Sequence, residues 1–349
     1  MNKVKDKNRS INWKLWSGLL ISALFLYLAF RKVDLTRIWE VIRATDLPPL
    51  ALVVLITLFQ FVIRAWRWRI LLESIKKTGF SNRLLSIFIG FAGNCILPAR
   101  LGEFIRANYL GHAENISRSS TFGTIVVERF FDGFTLLFFL LIGIMGTTFP
   151  EELHAVSGSL RTMGLLFFLL YILIIVFLVG FKYKTNLVLG LLDRLLFFFS
   201  QNLRSRVVDI IRNFSLGIVP LKNTCHWIQA IFYSLLLWFS SLYQIQLIGY
   251  SIGLSLPFIT TFLIMAMASF GVAIPSAPGF IGTFHLAVQY GFLFYGVPRE
   301  EALSAAIIWH AALFFPTVFF GFISFLFLQT SYSSLSEESH ILKKELERS

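Results

Sequence analysis

The chain has 349 residues, of which 56% are hydrophobic and 16% aromatic while only 14% are charged, and its mean hydropathy is +0.73. So few charges exclude an ordinary soluble enzyme, and the expectation is an all-α, polytopic integral membrane bundle forming a single membrane domain over residues 1–349. The formal charge of +12 would suggest nucleic acid in a soluble protein. Here Lys and Arg lie between apolar runs, so nucleic acid is excluded and anionic lipid at cytoplasmic loops is the expected partner.

A basic start (Lys3, Lys5, Lys7, Arg9, Lys14) precedes an apolar run from Leu15 to Phe30. Arg31 and Lys32 follow without a small-residue cleavage site, so the run is read as a retained first span with a cytoplasmic N-terminus. Further spans are expected at Leu50 to Ile63, Leu84 to Leu97, Ser119 to Gly146, Met163 to Phe181, Trp227 to Tyr250, Pro257 to Ala273 and Ser304 to Leu328. That makes about eight full spans, to which two short apolar pieces, Phe104 to Leu110 and Phe284 to Tyr295, are added. Each short piece follows a Pro and Gly break, so both are read as broken or re-entrant segments.

The loop from Arg64 to Arg83, with Arg64, Arg67, Arg69, Lys76, Lys77 and Arg83, and the basic loop from Lys182 to Lys222 are expected in the cytoplasm. Phe149 to Thr162 is expected outside. Counting the short pieces as crossings puts both termini in the cytoplasm, including the polar tail 331–349. In the second basic loop, Val207, Ile210, Ile211, Phe214 and Ile218 recur at helical spacing, as an interfacial or linker helix would require. Trp13, Trp16, Trp66, Trp68 and Trp227 lie near span ends and are read as interface anchors.

Pro98, Gly102 and Phe104 match Pro278, Gly282 and Phe284 in spacing, and a long apolar span follows each set. The two breaks fall an odd number of crossings apart, so an inverted repeat is expected, with a first unit over 1–148 and a second over 163–330. Proline removes a helical hydrogen bond and glycine permits close backbone approach, so each break exposes a half-helix N-terminus suited to anions. The segment Ile274 to His285, with Pro275, Ser276, Pro278, Gly279 and Gly282, is too interrupted for one helix.

Charges in the apolar segments are the main functional signal, because burying them in lipid costs about 2.5 to 3.5 kcal/mol each. Arg100, Glu103 and Arg106 are expected on one helix face, and Glu128, Arg129 and Asp132 on the face of the next span. Three cations against three anions permit either a neutral interhelical network or a site where arginines take a phosphate. Composition does not choose between these.

Catalysis by Ser276 and His285 is not expected, because the Gly-x-Ser-x-Gly elbow is absent. His112, His285 and His310 have no paired-ligand spacing, and Cys95 and Cys225 no metal or redox spacing, so no metal or other cofactor is expected. Two further readings stay open: an intramembrane transferase, and a structural or regulatory subunit that docks a cytosolic lipid- or glycan-modifying enzyme. Self-association is also open. Mixed charge signs argue against an ion channel.

The segments Asn94 to Arg106, Val127 to Asp132 and Ile274 to Phe284 resemble the signature segments of the lysylphosphatidylglycerol synthase transmembrane, or flippase-like, family. The resemblance covers almost the whole chain. It implies a polytopic bundle with re-entrant segments associated with moving lipids between leaflets, including aminoacyl phospholipids and polyprenyl-linked lipids; the protein is expected to be no enzyme and to lie in the plasma (inner) membrane. The resemblance also implies a central cavity lined by Asn94, Arg100, Glu103, Arg106, Glu128, Arg129 and Asp132. His285 stands where the family often has glutamate, which questions any acid-dependent coupling there.

Overall fold

The computed structural model describes residues 9–97, 100–147, 162, 164–166, 168–173, 176 and 224–346. Its helices in chain order are α1 (Arg9–Phe30), α2 (Leu35–Arg43), α3 (Leu47–Leu72), α4 (Phe80–Ile96), α5 (Gly102–Ala113), α6 (Arg118–Gly146), α7 (Thr224–Ser251), α8 (Thr260–Ala273), α9 (Thr283–Leu293) and α10 (Arg299–Leu346). A single 3-10 turn, Pro278–Phe280, lies between α8 and α9. No strand is present among the described residues.

Three segments, Leu47–Leu72, Cys225–Ser251 and Arg299–Phe327, are long and apolar enough to cross a membrane. The expected count of eight full spans is not reached by that measure among the described residues. α6 is as long but carries Glu128, Arg129 and Asp132, and the helices flanking the two breaks are short. The span at Met163 to Phe181 is only partly described, with helix at residues 164–166 and 168–173. The helix expected around Val207 to Ile218 lies outside the described residues, whereas the polar tail continues α10 as far as Leu346.

α3 starts on Pro48 and Pro49, whose missing N–H groups cost nothing in a first turn. It does not stop at Ile63 but continues to Leu72, so Arg64, Arg67 and Arg69 move from an expected loop into a helix. No Gly or Pro interrupts Arg64 to Leu72, and long arginine stems pack as apolar groups. α2 was not expected from the sequence. Asp34 caps it by accepting from the Thr36 N–H at 2.8 Å, and Ile38 and Val41 are its buried face.

Two contacts fix the ends of the bundle. α3 and α7 run antiparallel, since Gln60 meets Ser241 at 3.0 Å and Arg67 meets Ser234 at 3.0 Å. At one end His226 lies 3.4 Å from Glu73, and Lys76 donates to the Glu114 carbonyl at 2.7 Å. This is the basic end. At the other, Asp46 N–H donates to the Ser251 carbonyl at 2.7 Å, and the Thr147 and Tyr295 hydroxyls are 2.8 Å apart.

Between these ends the breaks form two helical hairpins. α4 leaves the basic end and α5 returns to it, packed closely enough that a Cβ on Gly102 would lie 1.8 Å from the Gly90 carbonyl oxygen. α8 leaves the opposite end and α9 returns there, with Gly271 against the Thr283 carbonyl and Gly291 against Ile264. α4, the longest limb at 17 residues, extends about 25 Å, short of a roughly 30 Å hydrocarbon core. The hairpins therefore enter from opposite ends and stop inside the bundle. Their tips meet: the Arg100 guanidinium donates to the Val272 carbonyl at 3.2 Å and lies 5.9 Å from the Phe280 ring centroid.

Candidate functional site

A charge cluster joins α3, α5 and α6. Glu128 is fully buried and takes both guanidinium nitrogens of Arg106, at 3.1 and 2.9 Å, together with Arg129 at 2.8 Å and Arg67 at 3.2 Å. Asp132 accepts from Arg67 at 2.6 and 3.2 Å and from the Trp238 indole at 3.2 Å. Glu103 forms a looser pair with Arg129 at 3.6 Å. Trp68 covers Arg106, with 3.8 Å from the guanidinium carbon to the ring centroid.

The expected balance of three cations and three anions thus exists, but with different members. Arg67 takes the place assigned to Arg100, which adopts a left-handed backbone (φ 53°) before α5 and does not share a face with Glu103 and Arg106. Trp68, expected as an interface anchor, is fully buried and donates to Thr124 at 2.9 Å. Bidentate pairing to Glu128 and the Trp68 cover engage the two terminal guanidinium nitrogens of Arg106, while its buried Nε has no partner among the described residues. Glu103 sits in the first turn of α5, so the anion expected at that helix N-terminus is supplied by the chain itself.

Beside this cluster is a cavity of about 250 Å³. α3 contributes Thr57, Gln60, Phe61 and Arg64; α4 contributes Phe91 and Cys95; α7 contributes Trp238, Ser241 and Gln244. The second hairpin and α10 close it with Val272, Phe280, Phe284, Trp309, His310 and Phe314. The walls are mainly apolar, rich in Phe and Trp, and carry several polar groups, the composition of small-molecule sites in general. Trp238 borders both cavity and cluster.

The remaining expected site residues separate by role. Asn94 lies against Gly102 in the first hairpin, and its buried Oδ1 has no partner among the described residues. Pro98 lies outside the described residues. In the second break the Thr283 hydroxyl donates to Ser276 at 3.2 Å, and the Gly282 N–H donates to His285 Nδ1 at 3.3 Å. Ser276 and His285 therefore have separate partners. Pro275 is exposed, whereas Pro278 and Gly279 form the 3-10 turn, whose Gly279 carbonyl lies 2.8 Å from His310 Nε2. Gly282 (φ 93°) packs on Ser22 of α1.

His285 and His310, distant in sequence, have ring centroids 4.7 Å apart. Arg64, Arg67 and His310, with Gln60, Trp238 and Trp309 of the cavity wall, are among the site-region residues that sequence reasoning did not place. The available signal was Gln60, Arg64 and Arg67, which recur on one helical face and continue the apolar span instead of ending it.

An all-helical architecture with three helices long and apolar enough to cross a membrane defines a helical membrane protein. The chain belongs to the family described as the lysylphosphatidylglycerol synthase TM region, whose model matches residues 15–321. It is similar to Glycosyltransferase AglD of Haloferax volcanii, 24% identical over 93% of this chain and 56% of that protein. The chain thus spans little more than half of that relative. It is also similar to the UPF0104 membrane proteins MJ1595 of Methanocaldococcus jannaschii (23% identical, 89% of this chain and 94% of that one) and PH1989 of Pyrococcus horikoshii (24%, 83% and 90%).

Proposed function

We propose that this protein is a lipid translocase that moves a phosphate-containing lipid, an aminoacyl phospholipid or a polyprenyl-linked lipid, across the plasma membrane without covalent chemistry. The observation that carries the reading is the meeting of two hairpins, one from each end of the bundle, beside a polar-studded aromatic cavity. The headgroup enters the cavity while the tails stay in lipid, and separation of the hairpin tips passes it from one side to the other. We read the hairpins as the cores of two inverted repeat units, the arrangement on which alternating access is commonly built. The basic end faces the cytoplasm on the positive-inside rule. α1 leaves that end and α10 runs toward it, which supports cytoplasmic termini.

The similarity to a protein named glycosyltransferase favours one second reading, a membrane subunit that works with a lipid- or glycan-modifying enzyme. Reconstitution separates the two. In proteoliposomes of the purified chain alone, a fluorescent phosphate-bearing lipid placed in the inner leaflet should become accessible to an external quencher faster than in protein-free vesicles. Rates no faster than in protein-free vesicles for both aminoacyl phospholipid and polyprenyl phosphate probes would reject the translocase and leave the subunit.

A further inference from the structure

Once Arg67, Arg106 and Arg129 are set against Glu103, Glu128 and Asp132, the cluster is neutral. Arg64 is one turn from Arg67 on α3, partly buried, and lines the cavity. Its guanidinium lies 4.6 Å from the Phe91 ring centroid, and no carboxylate pairs with it among the described residues. A second observation points the same way. Trp309, only 2% exposed, lines the same cavity, and its buried indole N–H has no hydrogen-bond partner among the described residues. Arg64 forms no ion pair among the described residues and feels Asp132 only at longer range, and the unmatched N–H belongs to a residue of the same cavity wall, so an acceptor that carries negative charge is the group that matches both.

We infer that Arg64 and Trp309 form the anion-binding site of the cavity and receive the phosphate of a single-chain-width headgroup, with Arg64 supplying the charge and Trp309 a hydrogen bond. The inference rests on the translocase reading for the lipid origin of the phosphate, but the anion site itself does not depend on it. The cavity, slightly below the roughly 300 Å³ lower bound of ordinary ligand pockets, suits a headgroup and not a whole lipid.

The test uses the full chain in neutral detergent, titrated with decyl phosphate, with inorganic phosphate and with uncharged decanol as separate probes. Saturable binding of decyl phosphate is expected, weakened at least tenfold by Arg64→Gln, little changed by Arg64→Lys and weakened about threefold by Trp309→Phe. Binding of inorganic phosphate with similar strength would support the anion site and assign it to free phosphate; binding of decyl phosphate alone would assign it to a lipid. Should Arg64→Gln fail to fold, Arg64→Lys and Trp309→Phe carry the comparison. The inference is overturned if wild type binds neither anion, if decanol competes as well as decyl phosphate, or if folded Arg64→Gln or Trp309→Phe binds as wild type does. Loss of anion binding in Arg64→Gln together with no lipid movement by wild-type vesicles would keep the site and reject the translocase.

Discussion

Glu128 is surrounded by three guanidinium groups inside a helical bundle, and its energetic role follows from what its removal would expose. A neutral replacement leaves Arg67, Arg106 and Arg129 sharing only Asp132 and the more distant Glu103. Breaking a buried ion pair from one side costs about 3 to 5 kcal/mol, because the remaining charge stays desolvated. Glu128→Gln is therefore expected to lose that amount in denaturant titrations of the detergent-solubilised protein, and a loss under about 1 kcal/mol would contradict the network. At this scale the sequence showed that cations and anions balance. It hid the partner of Asp132, because Arg67 lies in a run rich in arginine that reads as a loop until helix propensity and the absence of a breaker are weighed against charge.

The hairpins are elements held shut by glycine. A Cβ at Gly102 would also come within 2.6 Å of the Asn94 backbone nitrogen, so neither limb has a flexible group that could yield. Gly102→Ala should cost about 3 kcal/mol or more, at or beyond the top of the usual overpacking range. Gly253 is the contrast: its backbone is left-handed (φ +77°), yet nothing lies within 4 Å of a built Cβ. Gly253→Ala should cost only backbone strain, about 1 kcal/mol. Thermal unfolding of the two variants in one detergent measures the difference, and equal losses would show that close packing does not hold the hairpin. The matched Pro and Gly spacing made both breaks legible. Whether a short helix crosses or turns back was not, because hairpin closure depends on Gly90 and Gly93 meeting Gly102 from another helix, a tertiary contact that leaves no periodic trace.

Across the whole molecule, the directions of α3, α7 and the two hairpins follow from contacts that join residues far apart in sequence. Glu73 with His226 and Asp46 with Ser251 put opposite ends of α3 and α7 together, and the hairpins point toward each other between them. Single cysteines replacing Lys76 and Asp46, in a background lacking Cys95 and Cys225, should react with an impermeant thiol reagent from opposite sides of sealed vesicles. Reaction from the same side would contradict the spanning direction of α3. Composition and hydropathy alone established the helical membrane class. Span number was less legible because charged α6 and the short hairpin limbs depart from the long apolar pattern by which crossings are counted.

The central claim is that lipid passes where the two hairpins meet, which requires their tips to separate. A pair of cysteines at positions 100 and 272, where Arg100 now donates to the Val272 carbonyl, can be joined by a short reducible dithiol cross-linker in proteoliposomes without the native cysteines. Movement of the labelled phosphate lipid should stop on cross-linking and return on reduction. Unchanged movement through fully cross-linked protein would contradict the claim.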